Sequence, residues 1–219
     1  MIEDNARRIL SELPKEVALV IAAKTRTPDE IQRAVDAGVQ IIGENYVQEA
    51  QDAFAALGRI AKWHFIGHLQ KNKVKKAVPI FDMIETVDSL ELGTQIDQEC
   101  KKLGKTMPLL VEVNSGREPQ KSGVLPEEAE GVVRRLAKLE HLEVQGLMTM
   151  GPRFGDPELA RPYFQETKRL FDQLSKLVIK NVEMRYLSMG MSNTYKIAIE
   201  EGANIVRIGT TIFGERDYK

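Results

Sequence analysis

The sequence predicts an α/β fold: a single (β/α)8 TIM barrel covering residues 1–219 as one domain, with an extra N-terminal helix. Three observations predict it. Short β-rich runs alternate with amphipathic stretches, and they do so eight times. Several of the runs are apolar nearly throughout, as parallel strands covered on both faces must be. Eight units of about 27 residues match a closed barrel at the small end of its size range. An open, doubly wound eight-stranded sheet is the competing arrangement. No linker, low-complexity segment or repeat divides the chain, and it stops eleven residues after the eighth run, so one domain is expected.

In chain order, a helix is expected over 5–13, ahead of the first strand. Strands are expected at 17–23, 39–43, 62–66, 81–87, 107–113, 142–149, 183–187 and 204–208. After the first strand, Thr27-Pro28-Asp29-Glu30 offers an N-cap, a proline in the first turn and a capping-box glutamate. Ile31, Ala34 and Val35 form the buried stripe of that helix, and Gly38 supplies its stop. Asp88-Ser89-Leu90-Glu91 starts another helix, which Gly104 ends. Asp156-Pro157 opens a third, carrying Leu159, Phe164, Phe171, Leu174 and Leu177.

Composition narrows the function. Thirty-one basic and 32 acidic residues leave a net charge of −1, which gives no global reason to expect a nucleic-acid or membrane partner. A lone cysteine, Cys100, excludes an internal disulfide and any cysteine-rich zinc module, and it reads as packing. His64, His68 and His141 show no metal-binding spacing, so no metal site is expected. The N-terminus lacks the apolar core of a signal peptide, and no apolar run approaches the ~20 residues that span a bilayer. A cytoplasmic protein is expected. The run Lys71 to Lys76 is locally basic and reads as a solvated helix face.

Lys24 ends the apolar first strand, and in a barrel the C-terminal strand ends carry the active site. It shares parity with Ala22 and Val20, so it is placed to project inward over a small residue. Partial desolvation there makes the neutral amine accessible, as Schiff-base formation with a carbonyl requires. A lysine that snorkels to solvent is the plainer alternative.

The loops after strands seven and eight are the recurrent phosphate site of this fold. Here they read Leu187-Ser188-Met189-Gly190-Met191-Ser192 and Val206-Arg207-Ile208-Gly209-Thr210-Thr211. Ser188, Gly209 and Thr210 are the best-placed donors to an anion, although such residues also build ordinary turns and caps. Arg207 is the lone charge of an otherwise apolar strand and needs hydrogen-bond partners if it points inward. Either a buried carboxylate, Glu85 or Glu112, pairs with it, or it donates to a ring nitrogen of a bound cofactor.

Seven ordered motifs then resemble one family. They are Ala23-Lys24-Thr25 with Pro28, Gly43-Glu44-Asn45-Tyr46-Val47-Gln48-Glu49, and Trp63-His64-Phe65-Ile66-Gly67 with Leu69-Gln70. Lys121-Ser122-Gly123, Gly146-Leu147-Met148-Thr149, the strand-seven loop, and Val206 to Thr210 with Phe213-Gly214 complete the set. The chain resembles the YggS/PROSC family of pyridoxal 5′-phosphate (PLP) homeostasis proteins, similar in fold to the barrel of alanine racemase. It departs at Ala23 (usually Ser), His68 (often Pro), Glu85-Thr86 (usually His-Ser) and Asn193 (typically Asp).

The resemblance implies that Lys24 carries PLP as an internal aldimine and that Ser188, Met189, Gly209 and Thr210 hold its phosphate. It implies that Arg207 faces the pyridine nitrogen, with Asn45 and His64 near the ring. For His64, a hydrogen-bonded core histidine is the alternative reading. Tyr46 reads as a helix start. Met148, Met150, Met189 and Met191 read as mouth packing or as a soft wall to the ring.

Three functions follow. The first is a non-catalytic carrier that buffers PLP or delivers it to PLP-dependent apoenzymes. The second is a racemase-like PLP enzyme of amino acids. The third is an aldolase-like barrel, which leaves Arg207 unexplained. An arginine on the pyridine nitrogen weakens the ring as an electron sink, and a racemase needs acid–base groups on both faces. Alanine racemase draws its second group from a tyrosine of the partner subunit; here only Tyr46 and Tyr195 offer themselves, and no second domain that supports that dimer is expected. A monomeric carrier with no catalytic residues is therefore the expectation.

Overall fold

Eight parallel strands close into a barrel in sequence order in the computed structural model, which describes residues 1–151 and 155–215. They are β1 (Ala18–Ala22), β2 (Ile41–Glu44), β3 (Lys62–Phe65), β4 (Met83–Val87), β5 (Met107–Glu112), β6 (Leu142–Met148), β7 (Val182–Ser188) and β8 (Ile205–Ile208). β1 closes the ring, with Val20 opposite Ile41 of β2 on one side and Arg207 of β8 on the other. The strand bounds lie within two residues of those expected. β7 runs one residue further at each end, which puts Ser188 on the strand, paired with Ile205, rather than in the loop.

The helices are α1 (Ile2–Glu12), α2 (Pro28–Asp36), α3 (Val47–Leu57), α4 (Val74–Ala77), α5 (Leu90–Leu103), α6 (Ala129–Leu136), α7 (Arg161–Leu174), α8 (Tyr195–Glu200) and α9 (Thr210–Phe213). The capping box before α2 forms: Glu30 N–H donates to Thr27 Oγ1 at 3.3 Å, and Thr27 N–H donates to Glu30 Oε2 at 2.8 Å. Ser89 caps α5, and Gly104 ends it in the left-handed conformation. The helix expected from Asp156 instead opens as the 3-10 turn Pro157–Ala160, and α7 begins only at Arg161. Pro162 has no N–H for a continuing α-helical ladder, so it sits in a fresh first turn. Leu159, on that preceding turn, is consequently exposed rather than part of the core.

Strand alternation divides the core in two. Ile21, Ile42, Trp63, Phe65 and Leu109 face outward and pack with the helices. Val20, Ile66 and Ile205 face the lumen with Ala18, Ala22 and Ile41, while Met83, Leu110 and Met148 fill a second part of it. Cys100 is buried in α5, and burial pushes its thiol up to about 11, consistent with packing. The basic run at Lys71 to Lys76 is a short 3-10 turn and α4, with Lys71, Lys75 and Lys76 exposed. No helix among the described residues is long and apolar enough to cross a membrane.

Candidate functional site at the barrel mouth

Lys24 lies in a turn two residues past the end of β1 and is half-buried. The turn is held from both sides. Thr25 adopts φ 65°, a left-handed conformation that costs a β-branched residue about 1–3 kcal/mol. Its N–H donates to Glu49 Oε2 of α3 at 2.8 Å. Arg26 donates to the Gly214 carbonyl at 2.8 Å and lies 5.2 Å over the Phe213 ring, tying the same turn to α9. A conformation that the local sequence disfavours is thus imposed by contacts from two neighbouring units.

Beside it, the β7 and β8 loops converge. Ser192 Oγ accepts from the N–H groups of Gly209 at 3.3 Å and Thr211 at 3.5 Å. Those bonds are long, so two backbone donors at the head of α9 meet only a weakly placed neutral hydroxyl. A phosphate oxygen is a stronger acceptor for such donors. A Cβ on Gly209 would come within 3.3 Å of both Ala22 Cβ and the Ala22 carbonyl, so glycine lets the β8 loop approach the end of β1 below Lys24. Thr210 is exposed at the first turn of α9. Amides for an anion, hydroxyls and an amine therefore share one edge of the mouth, and this donor set fits a phosphorylated aldehyde.

Deeper in the lumen, four strands contribute one polar side chain each. His64 Nδ1 lies 2.7 Å from Glu85 Oε1, and Ser188 Oγ donates to Glu85 Oε2 at 2.6 Å. Arg207 donates through one terminal nitrogen to Ser188 Oγ and through the other to the Thr149 carbonyl at 2.8 Å. Arg207 and Glu85 stand 4.0 Å apart, both essentially inaccessible. Burial alone would raise Glu85. The contact with His64, the charge of Arg207 and the Ser188 hydroxyl outweigh it and hold the carboxyl below its ordinary value. Burial lowers Arg207, and Glu85 and Glu112 oppose that. Glu112 ends β5 at the same mouth; burial, with the Asp88 charge, pushes it up to about 7.

The expected residues divide accordingly. Lys24 follows β1, and Gly209 and Thr210 follow the adjacent β8. Arg207, which had two possible partners, bonds Ser188 and Thr149 beside Glu85. Ser188 places its hydroxyl in this buried array rather than at the α9 amides; the hydroxyl that reaches those amides is Ser192's. Met189 faces outward and packs under the helices, leaving only its backbone on the loop side. His64 is hydrogen-bonded and buried, as the alternative reading held. Asn45 is half-buried at the end of β2, closely covered by Gly67, where a Cβ would meet the Asn45 carbonyl at 2.2 Å.

Several participants were not singled out from the sequence. Ser192 and Glu49 lay within quoted motifs but carried no assigned role, and Thr149 contributes through a carbonyl that every residue possesses. Neither candidate tyrosine joins the buried array. Tyr46 precedes α3 and is 56% exposed, whereas Tyr195 donates to Glu12 Oε2 of α1 at 2.8 Å. Burial and Glu12 push the Tyr195 hydroxyl up to about 12.

Residues 1–217 match the family described as alanine racemase, N-terminal domain. A pyridoxal phosphate homeostasis protein of Aquifex aeolicus is 41% identical over 91% of this chain and 87% of its own length. PipY of Synechococcus elongatus, solved with PLP bound, superposes with a TM-score of 0.90 at 31% identity, covering 98% of this chain and all of PipY. Alanine racemase of Clostridium difficile superposes at 0.77 and 19% identity, with this chain covering 56% of it, a likeness of fold alone. The barrel, its motifs and these relatives together make the chain a member of the pyridoxal phosphate homeostasis protein family.

Proposed function

We propose that this protein binds PLP at the mouth of the barrel and serves PLP homeostasis, buffering the cofactor or delivering it to PLP-dependent apoenzymes. The observation that carries the reading is the close approach of Gly209, at the head of α9, to Ala22, two residues before Lys24. Bound there, PLP supplies an aldehyde that condenses with an amine. Lys24 is the covalent attachment point, held by the Thr25 turn. Gly209, Thr210, Thr211 and Ser192 bind the phosphate, with the Met189 backbone beside them. Arg207 and His64 form the floor below the ring, Ser188 joins that floor to Glu85, and Asn45 borders it. The PLP-bound form of PipY supports this reading by family membership.

The same geometry argues for a carrier without turnover of amino acids. Tyr195 is bonded to Glu12 and Tyr46 stands at the exposed head of α3, so neither supplies a second proton-transfer group opposite Lys24. Loss of such a group lowers rates by ~10²–10⁴-fold. A monomeric, cytoplasmic, one-domain protein is part of the same proposal. Its test is a PLP titration followed by absorbance, then incubation of the loaded protein with L- and D-amino acids while chirality and keto acids are monitored. Saturable binding with background turnover is expected. Robust turnover abolished by Lys24→Ala would replace the carrier with a racemase-like enzyme, and no binding would overturn the reading.

A further inference from the structure

The buried array below the mouth has an organising member that neither the expected site nor the phosphate edge includes. His64 comes from β3, Glu85 from β4, Ser188 from β7 and Arg207 from β8, so the array crosses the lumen. Glu85 and Ser188 each bond two of the others, and Glu85 does so through separate oxygens: Oε1 with His64 Nδ1, and Oε2 with Ser188 Oγ. An ionised carboxylate only accepts. His64 therefore carries its proton on Nδ1, leaving Nε2 for any further partner. Ser188 donates to Glu85, so its lone pairs receive Arg207. Every donor direction in the array follows from the charge on Glu85.

We propose that Glu85 is a positioning residue of the cofactor site: it fixes the His64 tautomer and the Arg207 guanidinium beneath the ring and supplies the counter-charge that sets the bound cofactor's proton affinity. The inference rests on the reading of the mouth as a PLP site. Among the described residues, His64 and Arg207 are the charged and titratable groups that act on Glu85; Glu112 acts on Arg207, and Asp88 on Glu112. Glutamine has nearly the same shape but cannot accept at both ends. Its amide nitrogen must meet either the His64 Nδ1–H or the Ser188 O–H, and one of them has to reverse. It also leaves the Arg207 charge without its nearest counter-charge.

The test compares wild type with Glu85→Gln and Glu85→Asp by two readouts: ¹⁵N NMR of the His64 ring in apo protein, and the pH midpoint of bound-PLP absorbance. In wild type the Nδ1–H form is expected. In Glu85→Gln that preference weakens, PLP binds about tenfold more weakly, and the midpoint falls by about one unit, because an uncompensated Arg207 disfavours a nearby proton. A variant that melts earlier yet keeps the wild-type tautomer, affinity and midpoint would overturn the proposal and leave Glu85 a structural residue. Should Glu85→Gln fail to fold, Glu85→Asp decides. Its shorter carboxylate cannot span His64 and Ser188, so the tautomer preference and PLP affinity should fall, and unchanged values of both would overturn the proposal. If wild type shows no PLP absorbance, the reading of the mouth fails instead, and the apo His64 spectra still decide the array.

Discussion

Glu44 and Glu85 are both buried carboxyls on barrel strands, and they are held in opposite states. Glu44, at the end of β2, alternates with lumen-facing Gly43 and so points into the wall between strand and helices. Its Oε2 has no hydrogen-bond partner, and burial, helped by the Glu49 charge, pushes it up to about 8. Glu85 points into the lumen, has donors on both oxygens, and stays below its ordinary value despite complete burial. Burial sets the penalty for a charge, but the donors decide whether the charge exists. The wall of this barrel keeps its acid neutral, and the floor of the candidate site keeps its acid charged.

The largest expected effect comes from breaking the charged side of that contrast. Arg207→Ala strands Glu85 without its counter-charge, and an orphaned buried partner costs ~3–5 kcal/mol. Thermal melts of apo protein measure it. A loss below ~1 kcal/mol would mean that Glu85 is not held by Arg207.

Glu44→Gln tests the neutral side, through pH. The folded state keeps a proton on Glu44 up to about pH 8, whereas the unfolded chain releases it near the ordinary value of 4.5. The folded state therefore binds more protons across that window, and stability falls as pH rises through it, by at most ~1.4 kcal/mol per unit. Glutamine removes that fall, so the variant should match wild type near pH 5 and exceed it near pH 8. Parallel pH–stability curves would show Glu44 to be ionised in the fold.

Ser192→Ala sharpens the comparison from outside both carboxyls. Among the described residues its hydroxyl makes only the two long contacts to the α9 amides, so apo stability should change by less than ~0.5 kcal/mol. PLP affinity should fall about fivefold, the equivalent of one ordinary hydrogen bond of ~1 kcal/mol. An unchanged affinity would remove Ser192 from the phosphate edge.

The contrast also marks what was legible in the sequence. Eight β-rich runs and the capping signals between them are local patterns, and they placed the strands to within two residues. The loop glycines and hydroxyls were legible because small residues at strand ends stand out. Of the Glu85 array only its pairing with Arg207 was legible, as one of two options; the other bonds were not, because they are non-local: Ser188 and Glu85 meet across 103 residues of chain. Alternation tells which side chains enter a lumen, not which of them touch. The partners of the Ser188 hydroxyl were hidden for a related reason. One more residue of β7 turned its hydroxyl from the loop into the barrel, and Ser192 stands at the amides instead. Pro162 broke the seventh helix where Asp156-Pro157 alone suggested its start.

The central claim is that the half-buried amine at the end of β1 is where PLP is held. Borohydride reduction of PLP-loaded protein, followed by peptide mapping, tests it directly. The pyridoxyl group should appear on Lys24 and on no other lysine in comparable amount. Lys62 is exposed at the opposite, N-terminal end of β3, and Lys121 is bonded to Glu118 and the Gly151 carbonyl. Label found predominantly on either of these, or undiminished in Lys24→Ala, would contradict the account.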